Sequence, residues 1–270
     1  MANTMRGLVK EASRPGKLVY RTDLPIPEPG DDEVLIKVHC SALCGTDMHI
    51  VEWDKWSQIH ARAPLVIGHE TAGDIVAVGK NVTERKVGDR VSCESHIPCN
   101  HCWFCDHGMK HICKNMELFG VSVPGAFAEY ACIRWDCTFP LDESLSYEAA
   151  CMFEPMGAGV HGVEAAEVAG KAVLVSGCGP IGLTAISASK TFGAVKVIAC
   201  DLIDEKLEVA KKMGADAVLI CRPFVPMVYG GAEEGVKLYI EKIGAELSDT
   251  MAMCGAENLA SINRDMVLVK

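Results

Sequence analysis

Two hydrophobic textures divide the chain. Up to about residue 145, short runs alternate apolar and polar positions and are broken by Pro and Gly, the pattern of strands with one buried face. Within residues 33–40, Val34, Ile36 and Val38 fall on one side, and residues 74–79 and 88–92 read as further strands. Ser146 then offers a capping oxygen to a helix through Glu148, Ala149 and Ala150 toward Glu154 and Pro155. From Lys171 the pattern becomes strand, helix, strand. Residues 172–175 are an apolar run of the kind buried on both faces of a parallel sheet, followed by a helix over 183–192 closed by Gly193 and a strand over 195–200. Asp204 is placed to cap a helix with Leu207, Ala210 and Met213 inward, a Glu208–Lys212 pair outside and Gly214 as its stop. Residues 217–220 form a third strand. Two successive β-α-β units make a doubly wound sheet. Beyond Pro223 the pattern weakens to a helix near 234–243, a strand near 250–253 and a helical tail. The chain is read as α/β in two domains, a β-rich one over 1–150 and a doubly wound one over 151–270.

Composition narrows the partners. With 270 residues there is enough chain for two cores, and 26 Lys+Arg against 36 Asp+Glu gives a net charge of −10. No basic block offsets that acidic field, which argues against nucleic acid or an anionic membrane as the main partner. No apolar run reaches the roughly 18 residues of a membrane span, and the first residues show no signal-peptide pattern. Fourteen cysteines without an export signal point to a reducing compartment, the cytoplasm, where thiols bind metal or pack as small hydrophobes.

Two motifs carry chemistry. Cys99, Cys102, Cys105 and Cys113 follow a C-x2-C-x2-C-x7-C spacing, which lets four thiolates reach one tetrahedral Zn2+ from a compact loop. Such a closed sulfur site leaves no place for water or substrate and is structural. Gly177, Gly179 and Gly182 follow a predicted strand and open a helix, the context of a dinucleotide fingerprint. Gly177 serves the tight turn, Gly179 the approach of the pyrophosphate and Gly182 close packing of helix on strand. Asp201 ends the next strand, where a carboxylate accepts hydrogen bonds from ribose hydroxyls and repels a 2′-phosphate, favouring NAD over NADP.

Cys44, His69 and Glu70 are unremarkable by spacing alone; their company changes that. The segments 44–49 (Cys-Gly-Thr-Asp-Met-His), 68–73 (Gly-His-Glu-Thr-Ala-Gly), the four-cysteine lobe, 125–130 (Gly-Ala-Phe-Ala-Glu-Tyr) and Glu154-Pro155 occur in the order seen in zinc-dependent medium-chain alcohol dehydrogenases. The chain resembles that family over most of residues 6–260. Within it, Glu52-Trp53-Asp-Lys-Trp56, residues 94–99 and residues 119–125 resemble the L-threonine 3-dehydrogenase branch. The resemblance implies a GroES-like catalytic domain followed by a Rossmann NAD-binding domain. It implies a catalytic zinc on Cys44, His69 and Glu70, a structural zinc on the four cysteines, a proton relay through Thr46 and His49, and an acid beside the metal at Glu154. Ile181, Asp201 and Lys206 match NAD contacts, and His96 matches a histidine at the substrate pocket. The implied reaction is oxidation of a secondary alcohol, with L-threonine as the small-molecule substrate, in a homotetramer.

Two departures keep alternatives open. Residues 157–160 are Gly-Ala-Gly-Val where threonine dehydrogenases have Gly-Asn-Ala-Val, so a polyol or 2,3-butanediol dehydrogenase is the alternative. The resemblance also implies a longer chain, with further strands of the nucleotide sheet and a segment returning to the catalytic domain. That expectation leaves the strand near 250 as an exposed edge and raises a third reading, a non-catalytic fragment that binds zinc and nucleotide.

Overall fold

The computed structural model describes residues 4–220 and 224–254, together with Asn258 and Ser261. The chain forms two compact units, Met1–His161 and Gly162–Lys270. The division thus falls inside a helix, Phe153–Ala165, rather than at residue 150.

The first unit is built on strands. β1 (Thr4–Lys10), β2 (Leu18–Pro25) and β4 (Leu65–Val66) form a sheet in the order β2-β1-β4. The main sheet has the order β10-β6-β5-β3-β9, from β3 (Glu33–Ala42), β5 (Glu70–Val78), β6 (Arg90–Cys93), β9 (Tyr130–Arg134) and β10 (Thr138–Pro140). A short pair, β7 (His96–Ile97) with β8 (Glu117–Leu118), completes the strands. Val34 and Ile36 of β3 are fully buried with Ile75, Val91, Phe119 and Ile133, each isoleucine contributing roughly 2 kcal/mol by leaving water. Val38 is only partly buried, because β3 bulges between Val38 and Cys40.

Five helices belong to, or begin in, this unit: α1 (Gly45–Glu52), α2 (Lys55–His60), α3 (Trp103–Asp106), α4 (Tyr147–Ala150) and α5 (Phe153–Ala165). The Ser146 cap is observed, its hydroxyl accepting from the backbone N–H of Ala149 at 3.2 Å. The helix it starts is interrupted at Cys151 and resumes as α5, which carries Glu154.

The second unit is a parallel sheet, β11 (Ala172–Ser176), β12 (Lys196–Asp201) and β13 (Ala217–Ile220), with α6 (Pro180–Thr191) and α7 (Asp204–Lys212) as crossovers. Crossovers of one hand bring both helices to one face of the sheet. The alternation of β12 and its neighbours shows it: Val197 and Ala199 are buried, whereas Leu174 is 62% and Leu219 46% exposed. Residues 172–175 are therefore not buried on both faces, since among the described residues only one face has helices packed on it. α6 begins at Pro180, earlier than expected, because proline suits the first helical turn.

Asp204 does not cap α7. Ile203 holds the cap position, because Asp201 already accepts from the N–H groups of Leu202 and Ile203 and the chain turns there. Asp204 enters as the first helical residue, where its charge favours the helix dipole. Leu207 and Ala210 point inward as expected, while Met213 remains 38% exposed. The last described element is α8 (Phe224–Cys254), one continuous helix. The strand expected near 250–253 is helical, since Thr250 is the only β-branched residue from 244 to 254 and its neighbours are good helix formers. No exposed edge strand arises there. The helical tail expected beyond lies outside the described residues. Among the described residues no helix is long and apolar enough to cross a membrane.

Candidate metal centres and dinucleotide turn

The four cysteines converge. Cys102 lies 3.6 Å from Cys105 and 3.8 Å from Cys113, and Cys113 3.5 Å from Cys99, sulfur to sulfur. Zinc–thiolate bonds of about 2.3 Å in a tetrahedron give edges of about 3.8 Å, so the donor set fits zinc without rearrangement. The backbone N–H groups are arranged for negative sulfur: that of Cys99 donates to the Cys113 sulfur at 3.2 Å, and the His101 backbone lowers the Cys99 thiol to about 6. Burial pushes Cys105 up to about 11, the opposite direction. The lobe is tied to the sheet by Arg134, which donates to the Pro98 carbonyl at 2.6 Å and is held by Asp136. Asp136 also accepts from Asn100 at 2.7 Å.

The second cluster gathers residues far apart in sequence. Ligand atoms of Cys44, His69 and Glu70 lie within 4.8 Å of one another. Cys44 is the N-cap of α1, so its sulfur sits at a helix start. His69 and Glu70 enter β5 from Gly68, whose φ of +92° favours glycine and whose missing side chain leaves room for the Phe127 ring. A Cβ at Gly125 would in turn strike the Gly68 carbonyl, which explains why these two glycine motifs belong together. Both His69 and Glu70 are 4% exposed. Three donors with room for a fourth ligand suit a catalytic zinc.

Asp47, which the sequence reading did not single out, supports this cluster. It is 1% exposed, accepts from the Cys44 backbone N–H at 2.9 Å, and places its other oxygen 3.7 Å from His69 Nδ1. Neither that oxygen nor His69 Nδ1 has a hydrogen-bond partner. With Nδ1 facing Asp47, Nε2 is the nitrogen left for metal. Burial pushes the Asp47 carboxyl above its ordinary range. Burial works against a charged His69, but Cys44 and Asp47 outweigh it and raise its pKa. Burial also raises Glu70, and Glu154 adds to the shift. Three acidic groups crowded around one imidazole are relieved by a cation. Replacing Asp47 by Asn is expected to weaken zinc at this cluster about 10- to 100-fold, as loss of a metal-orienting partner does. Chelator competition measures it, and unaltered retention would show that Asp47 does not orient His69.

Thr46 Oγ1 lies 3.6 Å from the Cys44 sulfur. His49 is on the same helix, its side chain half exposed and Nδ1 2.7 Å from Asp54. That helix is anchored by Lys10, another residue sequence alone did not flag. Fully buried, it donates to the carbonyls of Arg14, Gly16 and Val51 and lies 5.4 Å from the Trp53 ring centroid. Trp53 packs with Ile50, Leu65 and Ile67, and Trp56 lies beside them, so the tryptophan motif belongs to a local core. Glu154 accepts from Ser95 Oγ and groups with Glu94 and His96, whose Nδ1 is 2.6 Å from Glu94.

In the second unit Gly177 has φ +94°, and a Cβ on Gly182 would overlap the Gly177 carbonyl oxygen. At Gly177 and Gly179 a Cβ would meet only open space, the room a pyrophosphate needs above the α6 N-terminus. Ile181 is 51% exposed in the first turn of α6. Asp201 Oδ2 accepts from the Cys178 N–H at 2.7 Å and Oδ1 from Leu202 and Ile203. These backbone bonds lower its pKa and point its carboxylate at the turn, with lone pairs still available to ribose. Lys206 is exposed in the first turn of α7. These residues fit a dinucleotide.

Comparison with known proteins agrees with this geometry. Residues 30–143 match the alcohol dehydrogenase GroES-like domain. L-threonine 3-dehydrogenase of Symbiobacterium thermophilum is 42% identical over 219 residues, covering 81% of this chain and 62% of that protein. That of Proteus mirabilis is 41% identical over 244 residues, covering 89% of this chain and 71% of its own length. The chain belongs to the zinc-dependent medium-chain alcohol dehydrogenase family. Among solved structures, galactitol-1-phosphate dehydrogenase from Escherichia coli aligns with a TM-score of 0.74 at 32% identity, over 81% of this chain and 62% of that one. Zinc and a nicotinamide dinucleotide are thus the cofactors of this medium-chain dehydrogenase chain, which spans 62–71% of the length of the two curated relatives. Residues 207–269 match a different description, FMN-dependent dehydrogenase.

Proposed function

We propose that the chain carries the catalytic machinery of an L-threonine 3-dehydrogenase, oxidising the hydroxyl-bearing carbon of threonine to give 2-amino-3-oxobutanoate. The observation that carries this reading is the Cys44, His69 and Glu70 cluster with Glu154 beside it, in a chain about 41% identical to enzymes of that name. Zinc held by those three residues would polarise the substrate hydroxyl, and NAD at the Gly177–Gly182 turn would supply the hydride acceptor.

The chain's own residues do the rest. Asp47 orients His69, and Ser95 holds Glu154 beside the donors. Thr46, next to the Cys44 thiolate, receives the hydroxyl proton and His49 returns it to solvent, its ring held by Asp54 and its outer part exposed. Asp201 favours NAD because a 2′-phosphate would face its charge. The reading implies a small-molecule enzyme of the cytoplasm, acting as a homo-oligomer.

Ala158 lines a cavity beside Glu154, where threonine dehydrogenases carry asparagine, and this favours a polyol or 2,3-butanediol as the second reading. NADH formation by zinc-loaded protein with threonine, sorbitol and 2,3-butanediol decides between them. Turnover of threonine with the highest kcat/KM is expected. Turnover of a diol alone supports the second reading, and no turnover with both zinc sites filled leaves a binding fragment.

A further inference from the structure

The cavity beside Glu154 has a volume of about 590 Å³ and is lined by two chemically different groups of side chains. Glu94 and Glu154 cluster with His96. Lys110 and His111 come from the zinc lobe and His161 from α5. The His111 and His161 rings are 5.0 Å apart between centroids, tilted by 52°. Among the described residues none of these three side chains forms a hydrogen bond or a close ion pair, although the Lys110 charge helps to lower the Asp136 carboxyl. The other carboxylate lining the cavity, Asp136, is already occupied by Arg134 and Asn100.

Lys110, His111 and His161 are all exposed and so accessible to a ligand entering the cavity. The same cavity is lined by carboxylates, Glu154 foremost, since Glu94 and Asp136 already hold His96 and Arg134. A neutral polyol has no use for charges of both signs, whereas an α-amino acid carries a carboxylate for the basic side chains and an ammonium for the acidic one.

We propose that Lys110, His111 and His161 form the carboxylate-binding end of the substrate cavity, so that the site selects hydroxy amino acids over neutral diols. The proposal rests on the dehydrogenase reading above and deepens it. It gives the closed zinc lobe a second task. Lys110 and His111 sit in the 3-10 turn Lys110–Ile112 immediately before the ligand Cys113, so zinc in the lobe fixes where these side chains stand. The lobe takes no part in the chemistry yet contributes to the choice of substrate.

The test is Lys110→Met on the zinc-loaded 270-residue chain, with L-threonine and 2,3-butanediol as substrates and direct calorimetric titration of L-threonine as a readout independent of turnover. Lys110 is exposed and among the described residues makes no hydrogen bond or close ion pair, so its loss should not affect folding. Loss of one charge-assisted bond to the carboxylate is expected to weaken threonine binding about 10- to 100-fold. The rise should appear in KM rather than kcat, and the threonine-to-butanediol ratio of kcat/KM should fall by a similar factor. Lys110→Arg should restore most of that ratio. A structural role would lower both substrates alike and leave the ratio in place, which overturns the proposal, as does threonine binding that survives Lys110→Met undiminished. Parent protein that oxidises 2,3-butanediol but neither binds nor oxidises threonine overturns the threonine reading together with this proposal.

Discussion

Replacing Cys105 by Ser is expected to cost the protein one zinc per chain and to unfold the segment from Cys99 to Cys113. Apart from the Arg134–Pro98 and Asn100–Asp136 bonds at its start, the lobe has little else to hold it. Trp103 is 60% and Ile112 48% exposed, so its apolar side chains bury little surface. Its helix α3 has only four residues, too short to persist by itself. Zinc in small thiolate sites contributes on the order of 10 kcal/mol to folding, far more than these contacts. A serine hydroxyl is a poor ligand and leaves three sulfurs crowded within 4 Å or so of one another without the cation that reconciles them. Emission spectrometry would read the metal loss, and limited proteolysis would find new cleavage between residues 99 and 113. Full zinc content with an uncleaved lobe would sink the structural-site assignment. The same variant should still hold the zinc at Cys44, His69 and Glu70, because the two ligand sets share no residue. Zinc content by itself is therefore a poor guide to function in this chain.

The second large effect is expected at Gly182. A methyl group there overlaps the Gly177 carbonyl oxygen, and both partners are backbone, with no flexible side chain to move aside. Overpacking of this kind costs about 1–3 kcal/mol or more, and relief requires α6 to move away from β11. That displacement takes the α6 N-terminus out of place for the pyrophosphate. Gly182→Ala should lower the thermal midpoint of the second unit and reduce NAD affinity at least tenfold by fluorescence titration. Gly179→Ala makes a fair control for packing, since a Cβ at that position meets nothing within 4 Å. It should spare stability and act on nucleotide binding alone. If Gly182→Ala binds NAD as tightly as the parent, the turn is a plain β-α connection.

Legibility in the sequence followed the distance between cooperating residues. The four-cysteine lobe was readable because its ligands lie within 15 residues and spacing limits what they can reach. The glycine turn was readable because its strand and helix flank it directly. Cys44, His69, Glu70 and Glu154 span more than 100 residues, and only their resemblance to a family joined them. Asp47 and Lys10 gave no signal at all. Each is a charged residue whose burial makes sense only beside partners brought in by the fold: Asp47 beside His69, Lys10 beneath the carbonyls of Gly16 and Val51.

The errors cluster where local signals compete. Asp204 was expected to cap α7 but enters as its first residue, because the turn held by Asp201 at Leu202 and Ile203 puts Ile203 at the cap position. The strand near residue 250 became part of α8 in the region where periodicity had already weakened. That region lies within the match to FMN-dependent dehydrogenases rather than the match to the GroES-like domain.

The sequence by itself determined the α/β class and singled out the candidate thiolate lobe and dinucleotide turn, because each depends on contacts between near neighbours in the chain. Only the tertiary structure decided which residues share the candidate catalytic pocket, which face of the parallel sheet carries α6 and α7, and that Lys110, His111 and His161 line one cavity. Those outcomes depend on desolvation and on the meeting of charges from distant segments, and both are properties of the packed chain.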